Sequence, residues 1–177
     1  RVVAGCHVLE TLRLLNDPHW NRRGRAIRVG SGMGIAVRLA TTGLPPYPSA
    51  PPARPRTLAP GTPSVTVSDA HVGMQLLVPD RRTLRRAYAD FLSGHSPAEP
   101  AVLGMSFSAI DPSLAPPGRH TLTLWAQWHP FALQGSPWAE ASEAAGRAAI
   151  AAVERAAPGF TELVTDIHVQ TPESLES

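Results

Sequence analysis

The residues best suited to ligand chemistry lie in one alternating segment, 121–129. Alternation with a period of two predicts a β-strand whose successive side chains point to opposite faces of a sheet. One predicted face carries Trp125, Gln127 and His129, which offer an aromatic ring, an amide and an imidazole. The other predicted face consists of Leu122, Leu124, Ala126 and Trp128. We expect the apolar face to pack on helices and the mixed face to line a ligand cavity, although His129, at a strand end, also suits ordinary packing or capping.

No other residues form a motif for catalysis or metal binding. Cys6 and His7 are adjacent, but a nucleophilic dyad needs partners that the fold brings together, so a buried structural cysteine is the simpler interpretation. As the only cysteine, Cys6 excludes an intramolecular disulfide and a multi-cysteine zinc site. The histidines lack metal-ligand spacing, and no G-x-S-x-G motif occurs. The catalytic residues are therefore unknown, and no metal site is predicted.

A glycine-rich stretch at 28–40 is similar to a dinucleotide-binding loop, but its spacing fails. The fingerprint requires its third glycine where this chain has Ile35, and a ribose-binding acid about 20 residues later. No Asp or Glu occurs between Asp17 and Asp69. We therefore interpret the stretch as the flexible start of a strand at 33–41. Met33 lies on the apolar face of this predicted strand, together with Ile35 and Val37.

The charge pattern argues against a nucleic-acid partner. The net charge is only +2, and the basic residues are all arginine. The densest cluster consists of Arg81, Arg82, Arg85 and Arg86 on a predicted helix. This cluster predicts a solvated face, with an anionic-lipid or phosphate patch as the alternative. No apolar run approaches the roughly 18 residues of a membrane span, and the lone cysteine is compatible with a cytoplasmic location.

Periodicity predicts an α+β fold with a mostly antiparallel sheet of about five strands flanked by helices. The five strands are predicted at 33–41, 73–78, 102–108, 121–129 and 163–170, with a further short strand at 1–4. Helices are predicted at 7–15, 80–92 and 137–157, with a short helical segment capped by Asn21. Residues 44–63 are dense in proline and predict an extended, mobile loop. A strand is predicted to begin at the first residue, and a helix is predicted to begin at 171–173 with few residues left to continue it. We therefore expect residues 1–177 to be a fragment or excised domain.

The turn before the central strand carries a family resemblance. The segment at 111–120, DPSLAPPGRH, with the strand ending QWHPF at 127–131, resembles the substrate domain of phytoene desaturase-like FAD-dependent oxidoreductases of the amine-oxidase-like superfamily. Weaker similarities follow the family's order along nearly the whole chain. They lie at 1–15, where the family's chain returns from the FAD domain, at 31–32, 85–88 and 156–160, and at 171–176.

The resemblance implies a parent flavoprotein that transfers hydride equivalents to or from an apolar, carotenoid-like substrate, with FAD as the redox agent. Residues 1–177 would be its substrate-binding domain fragment, with the Rossmann-type FAD domain largely absent and expected to be the fragment's partner. The fragment alone should be inactive and should not hold FAD. Peripheral membrane contact would follow from a substrate that resides in lipid. The implied substrate-facing residues are Met33, Trp125, Gln127 and His129, with Gly5 and Cys6 nearest the flavin.

A second interpretation remains open. The chain would then be an autonomous, non-enzymatic ligand- or protein-binding α+β module that uses the same face of the sheet. A G-x-G-x-x-G strand-turn-helix encoded upstream would favour the flavoenzyme. A start codon beside Arg1 and a stop codon after Ser177 would favour the module.

Overall fold

The computed structural model of this chain describes residues 3–30, 32–58, 60–61 and 64–176. The chain divides into two compact units, residues 1–31 and 32–177. The first unit contains two short helices, α1 (Val8–Leu15) and α2 (Pro18–Gly24). Asn16 caps the carboxyl end of α1 and adopts the left-handed conformation with φ of 48°.

Asp17 determines where α2 begins. Its carboxylate accepts hydrogen bonds from the amides of His19 (2.8 Å) and Trp20 (3.3 Å), while Pro18 occupies the first helical position. Such a carboxylate satisfies amide groups that have no partner inside the helix. The prediction that Asn21 caps this helix is therefore wrong, because Asn21 lies inside it. The strand predicted at 1–4 is also not observed at Val3 and Ala4, and its first two residues lie outside the described part.

The second unit contains an antiparallel five-stranded sheet and a two-stranded hairpin, which confirms the predicted α+β class. The sheet has the order β4-β5-β6-β1-β7, and the hairpin pairs β2 with β3. The strands are β1 (Gly32–Thr41), β2 (Arg54–Arg56), β3 (Val65–Val67), β4 (Gln75–Leu77), β5 (Val102–Met105), β6 (His120–Pro130) and β7 (Val164–Gln170). The helices are α3 (Arg81–Leu92), α4 (Phe107–Ile110), α5 (Trp138–Ala156), α6 (Phe160–Leu163) and α7 (Pro172–Glu176).

The hydrophobic core lies between α5 and one face of the five-stranded sheet. Alternate residues of β1 and β6 point toward the helix, and the small residues of α5 allow a close approach. At Gly146, an added Cβ would lie only 2.7 Å from Cγ2 of Val169 on β7. The buried residues at this interface include Ile35, Val37, Leu39, Leu122, Leu124, Ala126, Ala149 and Val153.

The proline-rich segment contains a short strand. Residues 54–56 form β2, which pairs with β3, so the prediction of a loop throughout 44–63 is wrong at these positions, and its mobility remains a prediction. Asp69 binds the guanidinium groups of Arg54 and Arg56. Ser68 Oγ donates to the carbonyl of Pro51 at 2.6 Å. Proline carbonyls remain available as acceptors, and here side-chain donors hold the segment in place.

The segment before the central strand differs from the prediction at one end. β5 ends at Met105 and α4 follows it, so the strand predicted to continue to Ser108 is too long. Ser108 accepts a hydrogen bond from the amide of Thr121 at 2.9 Å, which ties α4 to β6. The left-handed turn predicted before β6 is confirmed, with φ of 72° at Gly118.

A β-bulge at Trp128 interrupts the alternation of β6. Gly34 pairs with Gln127 and Met33 pairs with His129, so Trp128 has no partner in β1. Trp128 has φ of 60°, and this left-handed conformation shifts the phase of the residues that follow it. The predicted positions of Trp128 on the core face and His129 beside Gln127 are therefore wrong. A regular period of two would give the predicted positions, and the extra residue breaks that period.

The bulge directs His129 into the core. The side chain of His129 is 0% exposed, and its ring centroid lies 5.9 Å from that of Trp138. Nδ1 donates to the carbonyl of Ala126 at 3.2 Å, while Nε2 has no partner among the described residues. Burial lowers the pKa of His129 from 6.5 to about 4, because the charged imidazolium would lose its hydration.

We predict that folding stability decreases as the pH falls from about 6.5 to about 4. In that range the unfolded chain binds a proton at His129 that the folded chain does not bind. A pKa shift of this size corresponds to about 3 kcal/mol of unfolding free energy. Chemical denaturation of the wild type and of His129→Phe at a series of pH values measures it.

The difference between the two pH dependences isolates His129, because the two proteins share every other ionisable residue. His95→Gln, which removes an exposed histidine, is the matched control. The prediction fails if the pH dependence of His129→Phe is as steep as that of the wild type.

Candidate functional site

The candidate site is the face of the five-stranded sheet turned away from α5, here called the open face. Cross-strand pairing assigns its members, because directly paired residues point to the same side. One row of paired residues crosses all five strands. From β6, Trp125 pairs with Leu103 on β5 and with Ala36 on β1. The row continues from Leu103 to Leu76 on β4 and from Ala36 to Gln170 on β7. The open face consists of Gly34, Ala36, Arg38, Ala40, Leu76, Leu103, Met105, Thr121, Thr123, Trp125, Gln127, Asp166, His168 and Gln170.

The open face changes from apolar to polar across the sheet. β4 and β5 contribute Leu76, Leu103 and Met105, and Leu76 is 65% exposed. β7, at the opposite edge, contributes Asp166, His168 and Gln170. Trp125 lies on β6 between these two regions. The face can therefore contact the apolar body of a ligand at one side and its polar group at the other.

Gly34 provides the space for the Trp125 indole. A Cβ at position 34 would lie 2.7 Å from Cε2 and 2.9 Å from Cζ2 of Trp125, and it would also collide with the carbonyl oxygen of Ala126. Gly34 therefore lets the ring lie directly over β1. The strand predicted at 33–41 already contained Gly34, and the structure adds that this glycine lies under an aromatic ring.

Arg38 is the cation of the open face. Its Nε donates to Oε1 of Gln170 at 3.2 Å, and its Nη1 donates to Oγ1 of Thr123 at 3.1 Å. These two bonds connect β1 to both neighbouring strands through side chains. Arg38 also lines a cleft of about 410 Å³ whose other walls include Phe107, Leu114, Asp166 and His168.

The structure brings together only two of the four predicted substrate-facing residues. Trp125 and Gln127 both lie on the open face. His129 lies in the core. Met33 pairs with His129 at the start of β1, so it lies on the same side of the sheet as Ile35 and on the opposite side from Trp125. Met33 is 47% exposed there. A ligand contact by Trp125, Gln127 or Met33 remains a prediction.

Gly5 and Cys6 belong to the first unit. Cys6 is exposed, and its Sγ lies 3.3 Å from Oγ1 of Thr11, so the expectation of a buried structural cysteine is wrong. No heavy atom lies within 4 Å of a Cβ built at Gly5. Their predicted proximity to a flavin remains untested.

Sequence reasoning missed Gly34, Arg38, Leu103 and Met105 as members of this face. Arg38 gave a usable signal, because it is the only charged residue in an otherwise apolar alternating strand. Leu103 and Met105 gave none, since their position beside Trp125 depends on the register between β5 and β6.

Two features are absent from the described residues. Within these residues, no group of three or more His, Cys, Asp or Glu side chains is arranged to hold a metal ion. Over the same part of the chain, no helix combines the length and apolarity needed to cross a membrane.

The fold and the site together define an α+β domain in which α5 packs on one face of an antiparallel sheet and the other face is amphipathic. No protein-family model matches the chain. The chain is 32% identical over 99 residues to mouse pyridine nucleotide-disulfide oxidoreductase domain-containing protein 2, and 31% identical over 99 residues to the rat protein of that name. The similarity covers 55% of this chain but only 17% of each relative.

We predict that Gly34→Ala destabilises the protein by about 1–3 kcal/mol, because the new methyl group must displace the Trp125 ring or separate β1 from β6. Thermal unfolding and the near-ultraviolet circular dichroism of the tryptophans measure the effect. Gly73→Ala is the matched control, since a Cβ at Gly73 meets no heavy atom within 4 Å. Equal melting temperatures for Gly34→Ala and the wild type would contradict the proposed contact.

Proposed function

We propose that the open face forms one wall of an apolar-substrate pocket in an FAD-dependent oxidoreductase resembling phytoene desaturase. The observation that carries this proposal is the row formed by Leu76, Leu103 and Trp125, which places apolar side chains on a sheet face away from the core. An apolar surface with a few polar groups is the usual character of a small-molecule site.

Two further observations support an oxidoreductase. The first is the distant similarity to the mouse and rat proteins, whose names include a pyridine nucleotide-disulfide oxidoreductase domain. The second is the resemblance of the turn at 111–120 and the following strand to the substrate domain of the desaturase family. We accordingly propose an apolar, carotenoid-like substrate.

The glycine-rich stretch does not fit an FAD phosphate site. From Gly32 onward the glycine-rich stretch is part of β1, whereas a dinucleotide site needs a turn that leads into a helix. We therefore propose that FAD is held by other segments of a longer parent chain. Hydride transfer is flavin chemistry, and this chain would contribute orientation of the substrate and exclusion of water.

A binding function without redox chemistry is the second candidate. It is favoured by the fact that every residue of the open face lies within one compact unit, 32–177. This unit would then bind a ligand or a protein without a flavin.

A peripheral membrane contact through α3 is also proposed, since a lipid-dissolved substrate must be reached. Arg81, Arg82 and Arg85 are exposed on this helix, while Arg86 lies 3.5 Å from Glu99. Failure of the protein to bind anionic vesicles at low salt would rule this contact out.

We predict that Trp125→Ala weakens the binding of Nile red, a neutral apolar dye, by about three- to ten-fold, because the aromatic part of the wall is lost. Fluorescence titration of the 177-residue chain measures the dissociation constant. Trp20→Ala is the matched control, since Trp20 is also partly exposed but belongs to the first unit. If both variants bind the dye as tightly as the wild type does, the open face is not the apolar site.

We also predict that the 177-residue chain does not retain FAD. After incubation with excess FAD and gel filtration, the flavin should elute separately from the protein. Stoichiometric co-elution would contradict the assignment of FAD to other parts of a parent chain.

A further inference from the structure

We propose that Arg38 recognises an oxyanion, so that the ligand of the open face is amphipathic, with an apolar body and a single carboxylate-type head. This inference rests on the proposed use of the open face as a ligand wall. It adds a chemical class to the ligand, which an apolar wall alone does not define.

The guanidinium of Arg38 is held in place but is not saturated. Gln170 and Thr123 accept two of its five N–H donors, at Nε and Nη1. These acceptors lie on β7 and β6, on either side of β1, so they restrict the rotamers of the long side chain. Three donors remain for a ligand. A preorganised guanidinium loses less conformational entropy when an anion binds.

Arg38 forms no ion pair with the described part of the chain. Both of its hydrogen-bond acceptors are neutral, and no described carboxylate oxygen comes within 4 Å of its guanidinium. Some other arginines of this chain pair with acids, as Arg54 does with Asp69 at 2.9 Å, and others, such as Arg155, have no ion pair within the described residues. A ligand oxyanion would supply the missing negative charge through strong, charge-assisted hydrogen bonds.

The cleft beside Arg38 has room for the apolar part of such a ligand. Its volume of about 410 Å³ lies within the usual range for small-molecule sites. Phe107 and Leu114 line it and are 46% and 52% exposed. A bound hydrocarbon chain would cover these side chains while its head group lies against Arg38.

Two other titratable residues, Asp166 and His168, line the same cleft. Asp166 accepts a hydrogen bond from the amide of Ile167 at 2.8 Å. Its negative charge should weaken anion binding by repulsion. The proposal therefore also predicts a variant with increased affinity for anions. Removing the charge with Asp166→Asn should strengthen anion binding, whereas a site for cations would be weakened by the same change.

The test compares octanoate with octanol, which differ in the head group but not in chain length. Binding to the 177-residue chain is followed by the chemical shift of the Trp125 indole N–H, assigned with Trp125→Phe. We expect the wild type to bind octanoate more tightly than octanol. Arg38→Gln should weaken octanoate binding by about ten-fold or more, as expected for loss of hydrogen bonds from a charged group, and should leave octanol unaffected.

Three further variants serve as controls. Arg38→Lys, which retains the charge but loses the fork geometry, should have intermediate affinity and serves if Arg38→Gln does not fold. Arg155→Gln removes the same charge from an exposed position of α5 and should bind octanoate as the wild type does. Asp166→Asn should bind octanoate more tightly. Octyl phosphate, tested in parallel, distinguishes a phosphate head from a carboxylate head.

The outcomes separate this inference from the proposed function. If octanol and octanoate bind the wild type equally well and Arg38→Gln changes neither, the apolar wall stands and anion recognition is wrong. If neither compound binds the wild type, the ligand wall itself is wrong, and this inference fails with it. Weaker octanoate binding by Asp166→Asn would also overturn the proposal.

Discussion

The antiparallel pairing of β1 with β6 is the constraint on which the rest of the structure depends. These strands form the longest ladder in the sheet, with partners from Gly32 and Pro130 at one end to Thr41 and His120 at the other. Their register aligns Val37 with Leu124 under α5, and it also aligns Ala36 with Trp125 on the opposite side. The hydrophobic core and the open face are therefore two consequences of a single register, since a slip of one residue would exchange them.

The two strands on either side of the β1–β6 pair contribute different kinds of side chain to the open face. β5 pairs with β6 and adds apolar side chains, whereas β7 pairs with β1 and adds polar ones. Arg38 can bridge to Gln170 and Thr123 only because β1 lies between β7 and β6. The amphipathic character of the face thus comes from strand order, and no single segment of the sequence contains it.

The elements that local chemistry specifies were predictable from the sequence. Asp80 was expected to begin α3, and its carboxylate accepts from the amide of Thr83 at 2.7 Å. The helix predicted at 137–157 ends at Ala156, just before Pro158, which cannot continue a helix, and Gly159, which has φ of 89°. The apolar face of β6 through Ala126 was also predicted correctly, because burial on one side of a strand imposes a period of two.

The predictions failed where tertiary contacts override local pattern. Trp128 adopts a left-handed conformation that is rare for an aromatic residue, and it lies 5.2 Å from the ring of Tyr88 on α3. Nothing in the alternation of 121–129 indicates this bulge. Similarly, β2 forms within a proline-rich segment because β3 and Asp69 provide its partners from later in the chain. Cross-strand neighbours of this kind are set by the complete fold.

The bulge at Trp128 determines which side chains the open face carries at this end. In a regular strand of the same sequence and length, the imidazole of His129 would lie on the open face beside Gln127. The bulge, in which Trp128 has no partner in β1, instead places that titratable group in a dry core. The open face is consequently without a histidine at that end, and proton transfer to a bound molecule there would have to involve solvent or another component.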